Sequence, residues 1–211
     1  MIVAAFSFLL LLAGCASNST VIHTDQNWTA FRRGVPIDKM VVLPIEPESP
    51  SKEEQQAAEL LTTLLFGSFS DVPRDQVDKL LAQTERGPLK EKALGLGRLI
   101  GAHAVVYGKL DRFEQRSANG TQVQRPASVA FQLHMVDVNS GDLMWWARYD
   151  ETQQAPRGDR LFMAPVFVRN PRWLTAEELA AQAVEWLKQD FDHAFRIAVN
   201  WWGNNGNGGT P

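Results

Sequence analysis

The chain has 211 residues, 45% of them hydrophobic and 21% charged, and a formal net charge of −3. That make-up belongs to one globular domain with extensions and excludes a disordered or fibrous chain. With no Lys/Arg cluster, nucleic acid is not an expected partner, and a single cysteine excludes an internal disulfide framework.

Residues 2–13 are apolar apart from Ser7. The run falls short of the about 20 apolar residues of a transmembrane helix and fits the about 7–15 of a signal-peptide core. It ends in Leu12-Ala13-Gly14-Cys15 and is followed by the polar Ala16-Ser17-Asn18-Ser19-Thr20. This resembles the lipobox of bacterial lipoproteins, although no Lys or Arg precedes the apolar run. The resemblance implies removal of residues 1–14, a thioether-linked diacylglycerol on Cys15 and a further acyl chain on the new amino terminus. Two or more chains anchor a protein stably. Ala16, where the enterobacterial inner-membrane retention pattern has Asp, implies the periplasmic face of the outer membrane.

Residues 15–38 read as a lipid-anchored tether, residues 39–202 as one periplasmic α/β domain, and residues 203–211 as a disordered Gly/Asn tail. Lys39-Met40-Val41-Val42-Leu43-Pro44 predicts a buried first strand. Ser51 with Glu54 forms a capping box for a helix whose stripe is Ala57, Leu60, Leu61, Leu64 and Leu65, ending at Gly67. Phe69–Val72 predicts a brief edge strand, and Arg74 to about Ala82 a short helix. Pro88 opens a further helix that stops near Gly101. Three strands follow. Ala104 to about Glu114 turns from apolar to charged, and Asn119-Gly120 signals a hairpin. Ala127–Asn139 places Val129, Phe131, Leu133 and Met135 on one face and Ser128, Gln132 and His134 on the other. Asp142 to about Thr152 groups Leu143, Trp145, Ala147 and Tyr149. Thr175 and Glu178 cap a last helix that runs to about Val199 and ends at Trp201-Trp202. The expected architecture is α/β in the sense of an α+β sandwich: a mixed sheet with a buried first strand, a C-terminal antiparallel meander and helices packed on it.

Two local patterns add to this order. Gly101-Ala102-His103-Ala104-Val105-Val106-Tyr107-Gly108 resembles the strand entry "Gly-Ala-Asp-x-Val-Val-x-Gly". Val136-Asp137-Val138-Asn139-Ser140-Gly141-Asp142-Leu143-Met144-Trp145 resembles "Leu-Val-Asp-x-x-Thr-Gly-Glu-Ile-Leu-Trp". Together they resemble, over residues 39–199, the periplasmic fold shared by the curli-secretion lipoprotein CsgG, the penicillin-binding-protein activator LpoB and the amino-terminal domain of TolB. The sequence departs from each. CsgG-type pores need long membrane hairpins, for which only 109–126 and 153–173 are candidates, and the first is charged. LpoB carries a long tether, and TolB a propeller. Shared fold does not transfer a function.

No catalytic constellation emerges. None of His23, His103, His134 and His193 pairs at zinc-ligand spacing. Asp150-Glu151, as strand neighbours, point to opposite faces. Gly95–Gly101 precedes a strand instead of following one, unlike a dinucleotide loop. No enzyme, cofactor, metal or small-molecule substrate is therefore expected. Candidate contact residues are the pair Trp201 and Trp202, and Phe162, Phe167, Arg169 and Trp173 within 153–173. The alternatives are rings folded back on the sheet and a loop covering its edge. The expected role is a lipid-anchored, non-enzymatic interaction domain that binds another envelope protein or itself. The runner-up is a subunit of a CsgG-like secretion complex.

Overall fold

A computed structural model describes residues 21–26, 37–49, 51–84, 87–119, 122–153 and 173–205. In chain order these form β1 (Val21–Gln26), β2 (Met40–Val42), β3 (Glu46–Pro47), α1 (Lys52–Phe69), α2 (Arg74–Leu81), α3 (Leu89–Ile100), β4 (Ala104–Glu114), β5 (Ser117–Asn119), β6 (Gln122–Arg125), β7 (Ser128–Asp137), β8 (Leu143–Thr152) and α4 (Ala176–Asn205). The main sheet runs β1-β8-β7-β4-β2, with β3 also on β4. β2 and β3 lie parallel to β4. A parallel pair needs a long crossover, which α1, α2 and α3 supply. The pairs β4–β7, β7–β8 and β8–β1 are antiparallel. The fold is α+β, a mixed sheet with an antiparallel meander.

Period-2 alternation builds the larger core. Val129, Phe131, Leu133 and Met135 of β7 join Trp145, Ala147 and Tyr149 of β8 on one face. α1 covers them with Ala57, Ala58, Leu61, Leu65 and Phe69, and α4 with Leu179, Ala183, Leu187 and Phe191. The 3.6-residue stripe of each helix meets the flat side of the sheet. On the other face α2 and α3 bury Val77, Ala93, Leu96 and Ile100 against Val41, Val105, Val136 and Val138. Two glycines set these distances. A Cβ at Gly97 of α3 would lie 2.6 Å from side-chain carbons of Val105 and Val138, so only glycine brings α3 this close. One at Gly108 would lie 2.1 Å from the carbonyl oxygen of Gln132 across the β4–β7 ladder.

Both capping boxes form, one in altered guise. Thr175 Oγ1 accepts from Glu178 N at 3.2 Å, and Glu178 Oε2 accepts from Thr175 N at 3.0 Å. Ser51 Oγ accepts from Glu54 N at 3.2 Å, but the Glu54 carboxylate takes the backbone N–H of Ser49, not Ser51, at 2.8 Å.

The structure corrects several expectations. Val21–Gln26, within the interval read as tether, pairs with β8, so the folded unit starts ahead of residue 39. A short polar edge strand has weak periodicity, and its ladder comes from a partner more than a hundred residues away. α1 passes through Gly67, where the space is open and the helical cost of glycine is only about 1 kcal/mol. Phe69–Val72 is no strand. Asp71 instead clips the start of β2, its N–H bonding Met40 O at 2.8 Å and its carboxylate accepting from Met40 N at 2.7 Å. α4 continues to Asn205, past Trp201-Trp202 and into the segment read as tail. In β8 a register shift between Met135 and Val136 turns Leu143 to the α3 side and brings Met144 to the core beside Trp145. The first candidate membrane hairpin is not one. Lys109–Glu114 completes β4 in the main sheet, and β5–β6 pairs separately.

Candidate docking face

α3 covers the meander along the row Val105–Val136–Leu143, and Tyr107 packs against the edge of that cluster. The next row across β4, β7 and β8 is Tyr107–His134–Trp146, three half-buried rings on adjacent strands. After it come Lys109–Gln132–Arg148 and Arg112–Ala130–Asp150. At the sheet edge the β1 residues Asp25, His23 and Val21 sit in register with Trp146, Arg148 and Asp150. Half of this face thus has no helix over it among the described residues.

The side chains there are ordered by one another. The Tyr107 and His134 rings stack at 5.3 Å with 16° between planes. Gln132 Nε2 donates to Asp111 Oδ2 at 2.9 Å. Asp111 is the extra residue where the β4–β7 register shifts, and the bulge aims its carboxylate along the face. Arg112 donates to Ser128 Oγ at 2.6 Å and to Asp150 Oδ1, while Arg148 lies 3.7 Å from the other Asp150 oxygen. Lys109 and Arg148 are exposed. Burial pushes His134 below the ordinary histidine range and Tyr107 above the ordinary phenol range. At neutral pH both rings are therefore uncharged, and the aromatic row adjoins rows that hold the charge.

This arrangement suits contact, not bond chemistry. Asp150 and Glu151 lie on opposite faces, as strand alternation requires. Asp150 pairs with two arginines, while Glu151 is 4% exposed and accepts from Tyr149 Oη at 2.6 Å. Among the described residues no three His, Cys, Asp or Glu side chains cluster as metal ligands. None of the described helices is long and apolar enough to cross a membrane. A flat aromatic row flanked by cations and an amide is the kind of surface that anchors a protein partner.

The residues singled out from sequence fall elsewhere. Cys15, Phe162, Phe167 and Arg169 lie outside the described residues. Trp173 is half-buried just ahead of α4, where Leu174 N bonds Gln153 Oε1 at 2.7 Å and so brings together the two flanks of 154–172. Trp201 and Trp202 occupy helical backbone near the end of α4. At about 1.5 Å per residue, Trp201 is about 38 Å along the helix from Ala176. Trp173 and the tryptophan pair thus mark opposite ends of α4. The face itself went unnoticed as a site because Gln132 and His134 read as a solvated strand side. The overlooked signal was Trp146 and Tyr107, aromatic residues in phase with that polar side.

No curated protein matches the chain. Among solved structures, the PelC dodecamer from Paraburkholderia phytofirmans is 12% identical, with 78% of this chain and 91% of that one covered and a TM-score of 0.42. Lipoprotein GNA1162 from Neisseria meningitidis is 13% identical, with 73% and 97% covered and a TM-score of 0.44. The LpoB C-terminal domain from Salmonella enterica is 17% identical, with 61% and 96% covered and a TM-score of 0.34. The family model of the peptidoglycan-synthase activator LpoB matches residues 58–150, a stretch that holds every β4, β7 and β8 residue of the uncovered rows. Over that stretch the chain resembles the LpoB family, named for proteins that activate an enzyme.

Proposed function

We propose that the chain is a non-enzymatic interaction domain of the bacterial envelope, anchored through acyl chains on Cys15, that binds another envelope protein through the uncovered half of its sheet. A peptidoglycan synthase is the partner that the matched family's name supplies. The observation that carries the reading is the row Tyr107–His134–Trp146 with Lys109 and Arg148 beside it, lying within the matched stretch. Aromatic and arginine side chains dominate the binding energy of protein interfaces. The lipid adds no contact with the partner. It confines the domain to one surface and so raises its effective concentration near whatever shares that surface.

A photo-crosslinking residue placed at position 148 in intact cells tests this. The expected result is an adduct with another envelope protein that is absent when the residue is placed at Leu99, the 56% exposed leucine on α3. Equal adducts at both positions, or none at 148, contradict the docking face. Cys15→Ser tests the anchor. It is expected to release the protein from membranes, and retention in the membrane fraction contradicts lipidation.

A further inference from the structure

β1 shortens the tether that the sequence alone suggests. Val21–Gln26 pairs residue by residue with Asp150 to Trp145 of β8, so the chain joins the domain at Val21. Only residues 16–20 lie between Cys15 and that strand. Whatever path they take, the backbone from Cys15 to Val21 spans at most about 22 Å. A tether running to Asp38 would span up to about 80 Å.

The ladders also set how far the open face lies from Val21. Asp150, Arg148 and Trp146 of β8 stand opposite Val21, His23 and Asp25. Gln132 and His134 of β7 continue the rows of Arg148 and Trp146, and Lys109 and Tyr107 of β4 complete them. Each residue advances about 3.4 Å along a strand, and neighbouring strands lie about 4.8 Å apart. Tyr107 is the farthest of these positions from Val21, four residues along and three strands across, which is about 20 Å. Every residue of the aromatic and cationic rows therefore lies within about 40 Å of a lipid on Cys15. Covalent geometry and strand pairing impose this upper bound for any orientation of the domain on the membrane.

We infer that the partner comes to this chain, and not the chain to its partner. The surface offered to the open face stands within about 40 Å of the bilayer that holds the Cys15 lipid. The partner that fits this reach is a protein with a domain at that membrane's surface. The inference rests on the lipid and the docking face proposed above, and adds to them where the contact is made.

A spacer inserted between Thr20 and Val21 tests the reach. The effective concentration of a tethered module is greatest when the tether matches the span to its target, and falls as the tether grows beyond it. The parent and a chain with a Gly/Ser spacer of about 60 residues, about 40 Å in average length, are produced together in one cell in excess of the partner. Both carry a photo-crosslinking residue at position 148, and their adducts are told apart by mass. The expected result is a severalfold excess of the parent's adduct. Equal adducts, or an excess from the lengthened chain, overturn the inference and leave the docking face standing. The same pair exported without a lipid sets the ratio that folding alone produces. An excess of parent adduct no greater with the lipid than without it overturns the inference as well. No adduct from either chain contradicts the docking face itself, and the inference falls with it.

Discussion

The two faces of the sheet are built from the same three strands and end in different states. On one face α1 and α4 cover the strands from Val129 to Met135, and Phe131, Leu133, Trp145 and Tyr149 are buried. On the other, α2 and α3 cover one end and stop, leaving Tyr107, His134 and Trp146 half-buried and Lys109 and Arg148 exposed. Trp145 and Trp146 show the contrast at its sharpest, neighbours in sequence with one in the core and one on the open face. The first contributes stability through burial. The second is half-buried on the open face, the face proposed to meet a partner. One meander thus carries a core and an open face because its two sides are covered unequally.

Substitutions along the meander can break that contrast, and the largest effect is expected at Trp145. Trp145→Ala should destabilise by about 3–5 kcal/mol, the range for truncating a large buried ring, as read by denaturant midpoint. Trp145→Phe should cost far less. The indole N–H of Trp145 is buried with no hydrogen-bond partner among the described residues, and losing such a group recovers part of a penalty of about 1–3 kcal/mol. A Phe variant as unstable as the Ala variant would show that the N–H is satisfied. Gly108→Ala should cost about 3 kcal/mol, since its new methyl meets the Gln132 carbonyl and the central ladder must move. Thermal unfolding within a degree of the parent would show that β4 relaxes freely. Thr175→Ala removes the first bond of α4 and should cost about 1 kcal/mol.

The smallest effect is a pH dependence from the open face. Burial holds His134 below its ordinary pKa, so the unfolded chain takes up the proton first as pH falls. Its contribution to stability is complete above the ordinary histidine pKa of about 6.5 and declines below it. His134→Gln should therefore lose less stability than the parent between pH 7.5 and 5.5. Identical losses in the two proteins would place His134 in a more watery setting than the stack on Tyr107 implies.

How much of this the sequence revealed depends on the range of the interactions involved. The alternation of β7, the two capping boxes and the meander order were all readable, because each is set by residues a few positions apart. β1 was not, since the only thing that makes Val21–Gln26 a strand is the distant edge of β8. The shift of Leu143 to the α3 side was hidden for a similar reason: a bulge is decided between strands, and a strict period of two misplaces every residue on its far side. The contact surface was half visible. Gln132 and His134 could be assigned to the polar side, but that no helix among the described residues covers them follows from where α3 stops, which no local pattern in β7 records.

On the proposed function, the uncovered rows bind the partner while contributing little to the fold. Titrating the purified partner, with a peptidoglycan synthase as the first to try, against the parent and Trp146→Ala tests it most directly. The expected affinity is weaker by about thirtyfold, the loss of an interface anchor worth about 2 kcal/mol, with folding stability within about 1 kcal/mol of the parent. Unchanged affinity in a folded Trp146→Ala protein would contradict it.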